Sequence, residues 1–203
     1  MKDNKIDFII KVLDDLYPNP SIPLNHANTF TFLVAVMLSA QSTDKKVNEI
    51  TPALFSKANS PEKMMNLSVE EIRSIIRQIG LAPTKAKNIR KMSELLIIRH
   101  SGNVPNTFNS LEALPGVGHK TASVIMSQAF KQPAFPVDTH IHRLAARWKL
   151  SNGTNVIRTE KDLKKIFQES LWNRLHLQMI YYGREYCQAR KYRCLCQICK
   201  EIS

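Results

Sequence analysis

The segment Leu114-Pro-Gly-Val-Gly-His-Lys-Thr-Ala122 determines how this sequence is interpreted, because it predicts a tight turn between two helices. Gly116 and Gly118 carry no Cβ, so both can adopt positive φ and let another backbone approach closely. A short helix from about Phe108 to Leu114 precedes the turn, and a longer one from about Lys120 to Phe130 follows it. Together these features predict a helical hairpin.

Helical signals continue on both sides of this hairpin, and we find no convincing period-two strand pattern. Ser60 before Pro61 is typical of a helix start, and Ser68-Val-Glu-Glu71 matches a capping box. Thr84 is expected to cap a basic helix that stops near Gly102. Two further helices are expected over about residues 5–17 and 28–40, and another is expected to begin after a cap at Ser42 or Thr43. Three more are expected to begin at Asp138, Thr159 and Leu171. The predicted fold class is therefore all-α.

The charge of the chain indicates a polyanionic partner. There are 29 lysines and arginines against 17 aspartates and glutamates, which gives a formal net charge of +12. Nucleic acid and an anionic membrane surface both fit this excess, and a solvated basic surface is the simpler alternative. The membrane is disfavoured, because the first predicted helix contains aspartates where a lipid-binding helix carries Lys and Arg. The N-terminus is also too polar for a signal peptide. We therefore expect a soluble, cytoplasmic protein that binds nucleic acid.

Lys120 lies one residue past the glycine turn, and two functions fit that position. The unpaired amides and the positive dipole end of the second helix form an anion site suited to a DNA phosphate, with which Lys120 could simply pair. Alternatively, Lys120 is a nucleophile towards the sugar of an extruded nucleotide. An ordinary lysine is almost wholly protonated at neutral pH, so this second role requires a lowered pKa. Burial, nearby cations and a helix N-terminus each lower a lysine pKa.

Asp138 lies in Phe135-Pro-Val-Asp138-Thr-His-Ile-His-Arg143, just before a predicted helix. It can be an N-cap only, which is worth about 1 kcal/mol. It can also be a carboxylate that stabilises positive charge on a scissile sugar and assists proton transfer. The two roles are compatible because a carboxylate has several acceptor sites. The neighbouring His140 and His142 would point about 200° apart on a helix, so we do not expect them to share a metal.

All four cysteines lie in the last 17 residues of the chain. A secreted disulfide scaffold spreads its cysteines along the sequence, so this grouping indicates ligands of one soft metal centre instead. The loop Gln188-Ala-Arg-Lys-Tyr-Arg193 within the group contains three cations. We interpret it as a loop presented to phosphates, with a solvated turn as the alternative.

The hairpin segment, followed by Val137-Asp-Thr-His140, resembles the endonuclease III family, the bifunctional glycosylases of base excision repair. The resemblance covers nearly the whole chain and includes Leu38-Ser-Ala-Gln-Ser-Thr-Asp44, Ile79-Gly-Leu81 and Tyr182-Gly-Arg184. It implies two all-α lobes with a DNA cleft between them. One is a six-helix barrel over residues 22–132, with the helix-hairpin-helix motif at about 108–130. The other is a lobe of N- and C-terminal helices, residues 1–21 and 133–203, that ends in the cysteine loop.

The same resemblance implies the roles of individual residues. Lys120 would be the Schiff-base nucleophile and Asp138 the catalytic carboxylate of a monomeric enzyme. This enzyme would remove oxidised pyrimidines from duplex DNA and cleave the strand at abasic sites by β-elimination. Gln41 and Leu81 would fill the gap left by the flipped base. The other expected DNA-binding residues are Gly116, Gly118, His140, Arg143, Arg184, Arg190, Lys191 and Arg193.

A [4Fe–4S] cluster is also implied, held by Cys187, Cys194, Cys196 and Cys199, since four cysteines are the usual ligands of such a cluster. The first gap, of six residues, is as in the family. The next gaps are of one and two residues, where the family has two and five. An intact cluster in a rerouted loop, zinc, and no metal therefore remain open.

Two other functions compete with this interpretation. A monofunctional glycosylase of the same superfamily is disfavoured, because the adenine-removing branch lacks this lysine and carries an extra C-terminal domain. A non-catalytic helix-hairpin-helix DNA-binding module would share the hairpin and the basic surface. It would give Asp138 no reason to accompany Lys120.

Overall fold

A computed structural model describes residues 2–190, 194 and 196–202, with only the backbone of Lys2 and Asp3. These residues form helices and connecting turns without a strand, which confirms the all-α prediction. None of the helices in this part of the chain has the length and apolar character needed to cross a bilayer. Lys191 and Arg193, two of the expected DNA contacts, lie outside the described residues.

The helices follow one another with short connections. A π-helical turn (Ile125–Ala129) continues α8, and a 3₁₀ turn (Glu169–Leu171) precedes α11. The α-helices are α1 (Lys2–Leu16), α2 (Thr29–Ser39), α3 (Asp44–Lys57), α4 (Pro61–Asn66), α5 (Val69–Ile75), α6 (Ala82–His100), α7 (Phe108–Glu112), α8 (His119–Val124), α9 (Thr139–Arg147), α10 (Val156–Ile166), α11 (Trp172–Glu185) and α12 (Gln197–Ile202).

Several predicted helix starts are confirmed by side-chain caps. The Ser68 hydroxyl accepts a hydrogen bond from the Glu71 amide at 3.1 Å, and the Glu71 carboxylate accepts one from the Ser68 amide at 2.7 Å. Ser60, with Pro61 at the first helical position, caps α4. Of the two candidates for α3, Thr43 is the cap, since its hydroxyl accepts from the Lys46 amide.

Two predicted helix starts are wrong, at Thr84 and at Thr159. α6 begins at Ala82, and its N-cap is Leu81 with a left-handed φ of 60° and no side-chain cap, so Thr84 lies inside the first turn. The helix can begin early because Pro83 needs no amide partner there. α10 begins at Val156 rather than Thr159, because Asn155 is extended and its side chain accepts from the Arg158 amide at 2.8 Å.

The chain forms two compact units. The first, residues 22–130, contains α2 to α8. Its α2 is apolar and buried on nearly every side, from Phe30 to Leu38, and packs against α3, α6, α8 and the π turn. α6 packs against α4 and α5 through a buried stripe.

The second unit joins residues 1–21 to residues 131–203. The buried Gln178 of α11 ties the two segments together, because its amide donates to Asp14 Oδ1 at 2.8 Å and to the Tyr17 carbonyl at 2.9 Å. The core includes side chains of α1, α9, α10 and α11, together with Cys187, Ile198 and Cys199 of the cysteine segment, residues 187–199. Its largest fully buried members are Trp148, Tyr182, Phe135, Ile9 and Leu13.

Candidate catalytic and DNA-binding site

The predicted hairpin is present, with α7 and α8 joined by the glycine turn. Gly116 has φ of +79°, as expected. A Cβ added there would lie 2.9 Å from both Asn88 Nδ2 on α6 and Met37 Cε on α2. Glycine is therefore required at this position both by the backbone conformation and by the space available.

Gly118 has a different conformation from Gly116. It is the N-cap of α8 with φ of −91° and ψ of 175°, an extended conformation open to any residue. An added Cβ would meet no described atom within 4 Å. The positive φ that glycine permits is not used at this position. Gly118 instead leaves open space beside the first turn of α8.

Contacts of His119 connect the two helices of the hairpin. Its Nδ1 lies 2.7 Å from Glu112 Oε1, and its ring stacks on Phe108 with centroids 5.7 Å apart. Lys120 follows as the second residue of α8 and is exposed. The hairpin thus fixes the backbone that carries Lys120 while its side chain remains accessible.

Asp138 is the N-cap of α9 and is half-buried. Its Oδ1 accepts from the Ile141 amide at 2.8 Å, which confirms the capping role. Oδ2 has no hydrogen bond within the described part of the chain, so this oxygen is available to a ligand. One carboxylate can therefore cap the helix and still act on substrate.

His140 and Arg143, two of the predicted DNA-binding residues, lie one turn apart on α9. Burial, together with the neighbouring Arg143 and Arg184, lowers the pKa of His140, although Asp138 acts in the opposite direction. The Arg143 guanidinium donates to His140 Nδ1 at 3.2 Å, to the Gly183 carbonyl at 2.9 Å and to the Cys187 carbonyl at 3.0 Å. Arg143 thus binds a carbonyl oxygen near the end of α11 and another at the start of the cysteine segment. Arg184 is half-buried, and Arg190 is exposed.

Gln41 and Leu81 lie on adjacent turns of residues 22–130. Both have left-handed backbones, with φ of 57° and 60°, which is unusual outside glycine and often marks a functional position. Leu81 is 55% exposed. The Gly80 amide donates to Ser42 Oγ at 3.3 Å, and a Cβ added at Gly80 would lie 3.0 Å from the Gln41 carbonyl oxygen. The two turns are thus in direct contact, and each presents one exposed side chain.

The four cysteine sulfurs come together, all within 4.8 Å of one another, and the Cys187 and Cys199 sulfurs are 3.8 Å apart. Burial raises the pKa of the Cys187 thiol to about 11 and also raises that of Cys199. Burial alone would raise the pKa of Cys194 as well, but hydrogen bonds from Cys196 and the other thiols lower it to about 7. Four converging soft ligands could hold a metal cluster despite the altered spacing, as the expected [4Fe–4S] cofactor requires.

Arg147 on α9 is a contributor to this centre that the sequence analysis missed. Its guanidinium donates to Cys187 Sγ at 3.1 Å and to the Gln188 carbonyl at 3.0 Å. The available signal was its position four residues after Arg143, which places both arginines on the same face of α9. The sequence alone did not indicate that this face meets the cysteine segment.

Comparisons with known proteins identify the family of this chain. The sequence family described as HhH-GPD superfamily base excision DNA repair protein matches residues 34–169. Endonuclease III of Bacillus subtilis (strain 168) is 40% identical over 97% of this chain and 92% of its own length. Endonuclease III of Escherichia coli (strain K12) is 42% identical over 92% of this chain and 88% of its own length.

A solved structure described as a trapped endonuclease III–DNA covalent intermediate, an estranged-adenine complex, has the same fold. It matches with a TM-score of 0.91 and 38% identity over 99% of this chain and 98% of that chain. These similarities confirm the predicted activity, a bifunctional glycosylase and AP lyase that acts on duplex DNA. They disfavour the monofunctional enzyme and the non-catalytic module. The chain belongs to the endonuclease III family within the HhH-GPD superfamily of base excision DNA repair proteins.

Proposed function

We propose that Lys120 is the nucleophile of this glycosylase and lyase, that Asp138 is its catalytic carboxylate, and that its substrates are oxidised pyrimidines in duplex DNA. The observation that carries the proposal is the exposed position of Lys120, in the first turn of α8 directly after the glycine turn. A damaged base costs less to extrude than an intact pair, which favours such lesions as substrates. We place the enzyme in the cytoplasm, on chromosomal DNA.

In the first half of the reaction, the neutral Lys120 amine attacks C1′ of the extruded nucleotide. The Nζ–C1′ bond forms as the glycosidic bond breaks, and the base leaves with the proton that the attacking amine loses. Asp138 Oδ2, which accepts no hydrogen bond from the described residues, stabilises the positive charge that develops on the sugar. The C1′–O4′ bond then breaks, O4′ takes up a proton from water, and an iminium between Lys120 and C1′ remains.

In the second half, this iminium acidifies the C2′ proton. Loss of that proton and cleavage of the C3′–O bond break the strand on its 3′ side, and hydrolysis of the imine then frees Lys120. A glycosylase that activates water needs no amine, so the lysine accounts for the lyase step.

The DNA is held by contacts that do not depend on its sequence. We assign phosphate binding to the amides of the Gly116–Gly118 turn and to the basic residues near the cysteines, Arg184, Arg190, Lys191 and Arg193. We assign contacts with the DNA strand to His140 and Arg143. We propose that Gln41 and Leu81 fill the gap left by the flipped nucleotide. The metal cluster, when bound, would hold the four cysteines of the cysteine segment in fixed positions.

Borohydride trapping tests the proposal. Duplexes with an oxidised pyrimidine, an oxidised purine or an abasic site are incubated with the enzyme and reduced, and the covalent adduct is measured. We expect an adduct with the oxidised pyrimidine and the abasic site. Lys120→Gln should abolish the adduct without loss of DNA binding. Lys11→Gln, at an exposed lysine of α1, should leave adduct formation unchanged. An undiminished adduct from Lys120→Gln would contradict the assignment.

A further inference from the structure

Residues 22–130 contain, besides the exposed Lys120, a lysine that is buried beside the turns of Gln41 and Leu81. Lys85, on the first full turn of α6, is 7% exposed. Its Nζ donates to the Leu38 carbonyl at 2.9 Å and also to the Ala40 carbonyl. Both carbonyls belong to the end of α2, immediately before Gln41.

This contact is unusual for a lysine. No carboxylate pairs with Lys85 in the described part of the chain, and burial lowers its pKa. An unpaired buried charge is costly unless hydrogen bonds and helix dipoles compensate. The C-terminal carbonyls of α2 provide that compensation, because they carry the negative end of the helix dipole. Lys85 interrupts the otherwise small and apolar stripe of Ala82, Ala86 and Ile89, where an apolar residue would pack at lower cost.

The interaction joins two elements with one exposed residue each. Gln41 follows the carbonyls that Lys85 binds, and Leu81 immediately precedes the helix that carries Lys85. A second connection runs in parallel, from the Gly80 amide to Ser42 Oγ at 3.3 Å. Both Gln41 and Leu81 have left-handed backbones, which persist only where the surroundings hold them.

We propose that Lys85 is a positioning residue for base extrusion, which locks the Gln41 and Leu81 turns into one rigid wedge through the carbonyls at the end of α2. The proposal rests on the function proposed above, in which these two side chains fill the gap in the duplex. Extrusion costs a few kcal/mol of stacking and pairing. A wedge that moves cannot keep the base pair open against restacking. The loss of Lys85 therefore affects extrusion rather than the chemistry at C1′.

Lys85→Met tests this, since methionine retains much of the apolar length and removes the donor. Lys87→Met is the matched control, because Lys87 is an exposed lysine two residues along α6. Single-turnover excision is measured on an oxidised pyrimidine in a fully paired duplex and on the same lesion in an unpaired bulge. Borohydride adduct formation at a preformed abasic site is measured alongside, with a thermal melt of each protein.

Lys85→Met should lower excision from the paired duplex at least about tenfold, the change that follows from about 1.4 kcal/mol. Excision from the bulge and adduct formation at the abasic site should fall by less than about threefold, since neither opens a base pair. Lys87→Met should match the wild type on all three substrates. Equal losses by Lys85→Met on paired and bulged lesions, or no loss, would overturn the proposal.

Gly80→Ala decides the question if Lys85→Met fails to fold. Its Cβ would lie 3.0 Å from the Gln41 carbonyl oxygen and would press the Gly80 turn away from Gln41 without touching Lys85. A loss on the paired lesion alone supports the rigid wedge, and an equal loss on both lesions contradicts it. The proposed function fails separately, since wild-type protein would then form no adduct at all.

Discussion

Replacing Gly116 with alanine should destabilise residues 22–130. The φ of Gly116 is +79°, and left-handed backbone costs a residue with a Cβ about 1–2 kcal/mol. The added Cβ would lie 2.9 Å from Asn88 Nδ2 and Met37 Cε, and overpacking typically costs about 1–3 kcal/mol. We therefore expect the free energy of unfolding to fall by about 2–5 kcal/mol.

Gly118→Ala is the matched control, two residues along the same turn. Its φ of −91° is ordinary, and the new Cβ would meet no described atom within 4 Å. Alanine is a poorer N-cap than glycine, at a cost of about 0.5–1 kcal/mol. Alanine also reduces the entropy of the unfolded chain, a gain of about 0.4–1 kcal/mol. The two effects nearly cancel.

Thermal denaturation followed by far-ultraviolet circular dichroism distinguishes the two variants. In chains of this size, a loss of 1 kcal/mol lowers Tm by about 2–4 °C. Gly116→Ala should therefore lower Tm by at least about 4 °C, and Gly118→Ala by less than about 2 °C. Equal midpoints for the two proteins would refute the reasoning. If the open space beside Gly118 receives a phosphate, Gly118→Ala should weaken DNA binding while its Tm is retained.

Two further changes separate structure from activity. Asp138→Asn should retain the cap of α9, since asparagine caps as well as aspartate, and should change stability by less than about 0.5 kcal/mol. Base excision should nevertheless fall at least about 100-fold because the charge is lost; unchanged excision would leave Asp138 with only its cap. Arg147→Met removes the donor to Cys187 Sγ and should lower metal retention about 10–100-fold, measured as iron per chain after a chelator challenge. Arg77→Met, at an exposed arginine of the other unit, should retain its iron, and equal retention by both variants would contradict the role of Arg147.

Local sequence signals were sufficient for most of the helices and for several of their ends. The capping box at Ser68 and the caps at Thr43 and Asp138 form between residues three positions apart, so the sequence contains both partners. The left-handed φ of Gly116 follows from the turn in the same way. Lys120 and Asp138 were identified as candidates because a motif of distinctive residue types surrounds each of them.

Only the tertiary structure decided features that depend on distant segments. Leu81, in place of the predicted Thr84, is the N-cap of α6, and the Gly80 turn before it is held against Ser42, which lies 38 residues away. Lys85 appears in the sequence as one more cation, yet it is buried on carbonyls that lie more than forty residues away. The four cysteines were recognised as ligands from their grouping, whereas Arg147 was not, because its contact with Cys187 requires α9 to pack beside the cysteine segment. Caps and turns involve neighbours along the chain, so the sequence determined them; buried charges and metal-site hydrogen bonds involve partners that only folding brings together.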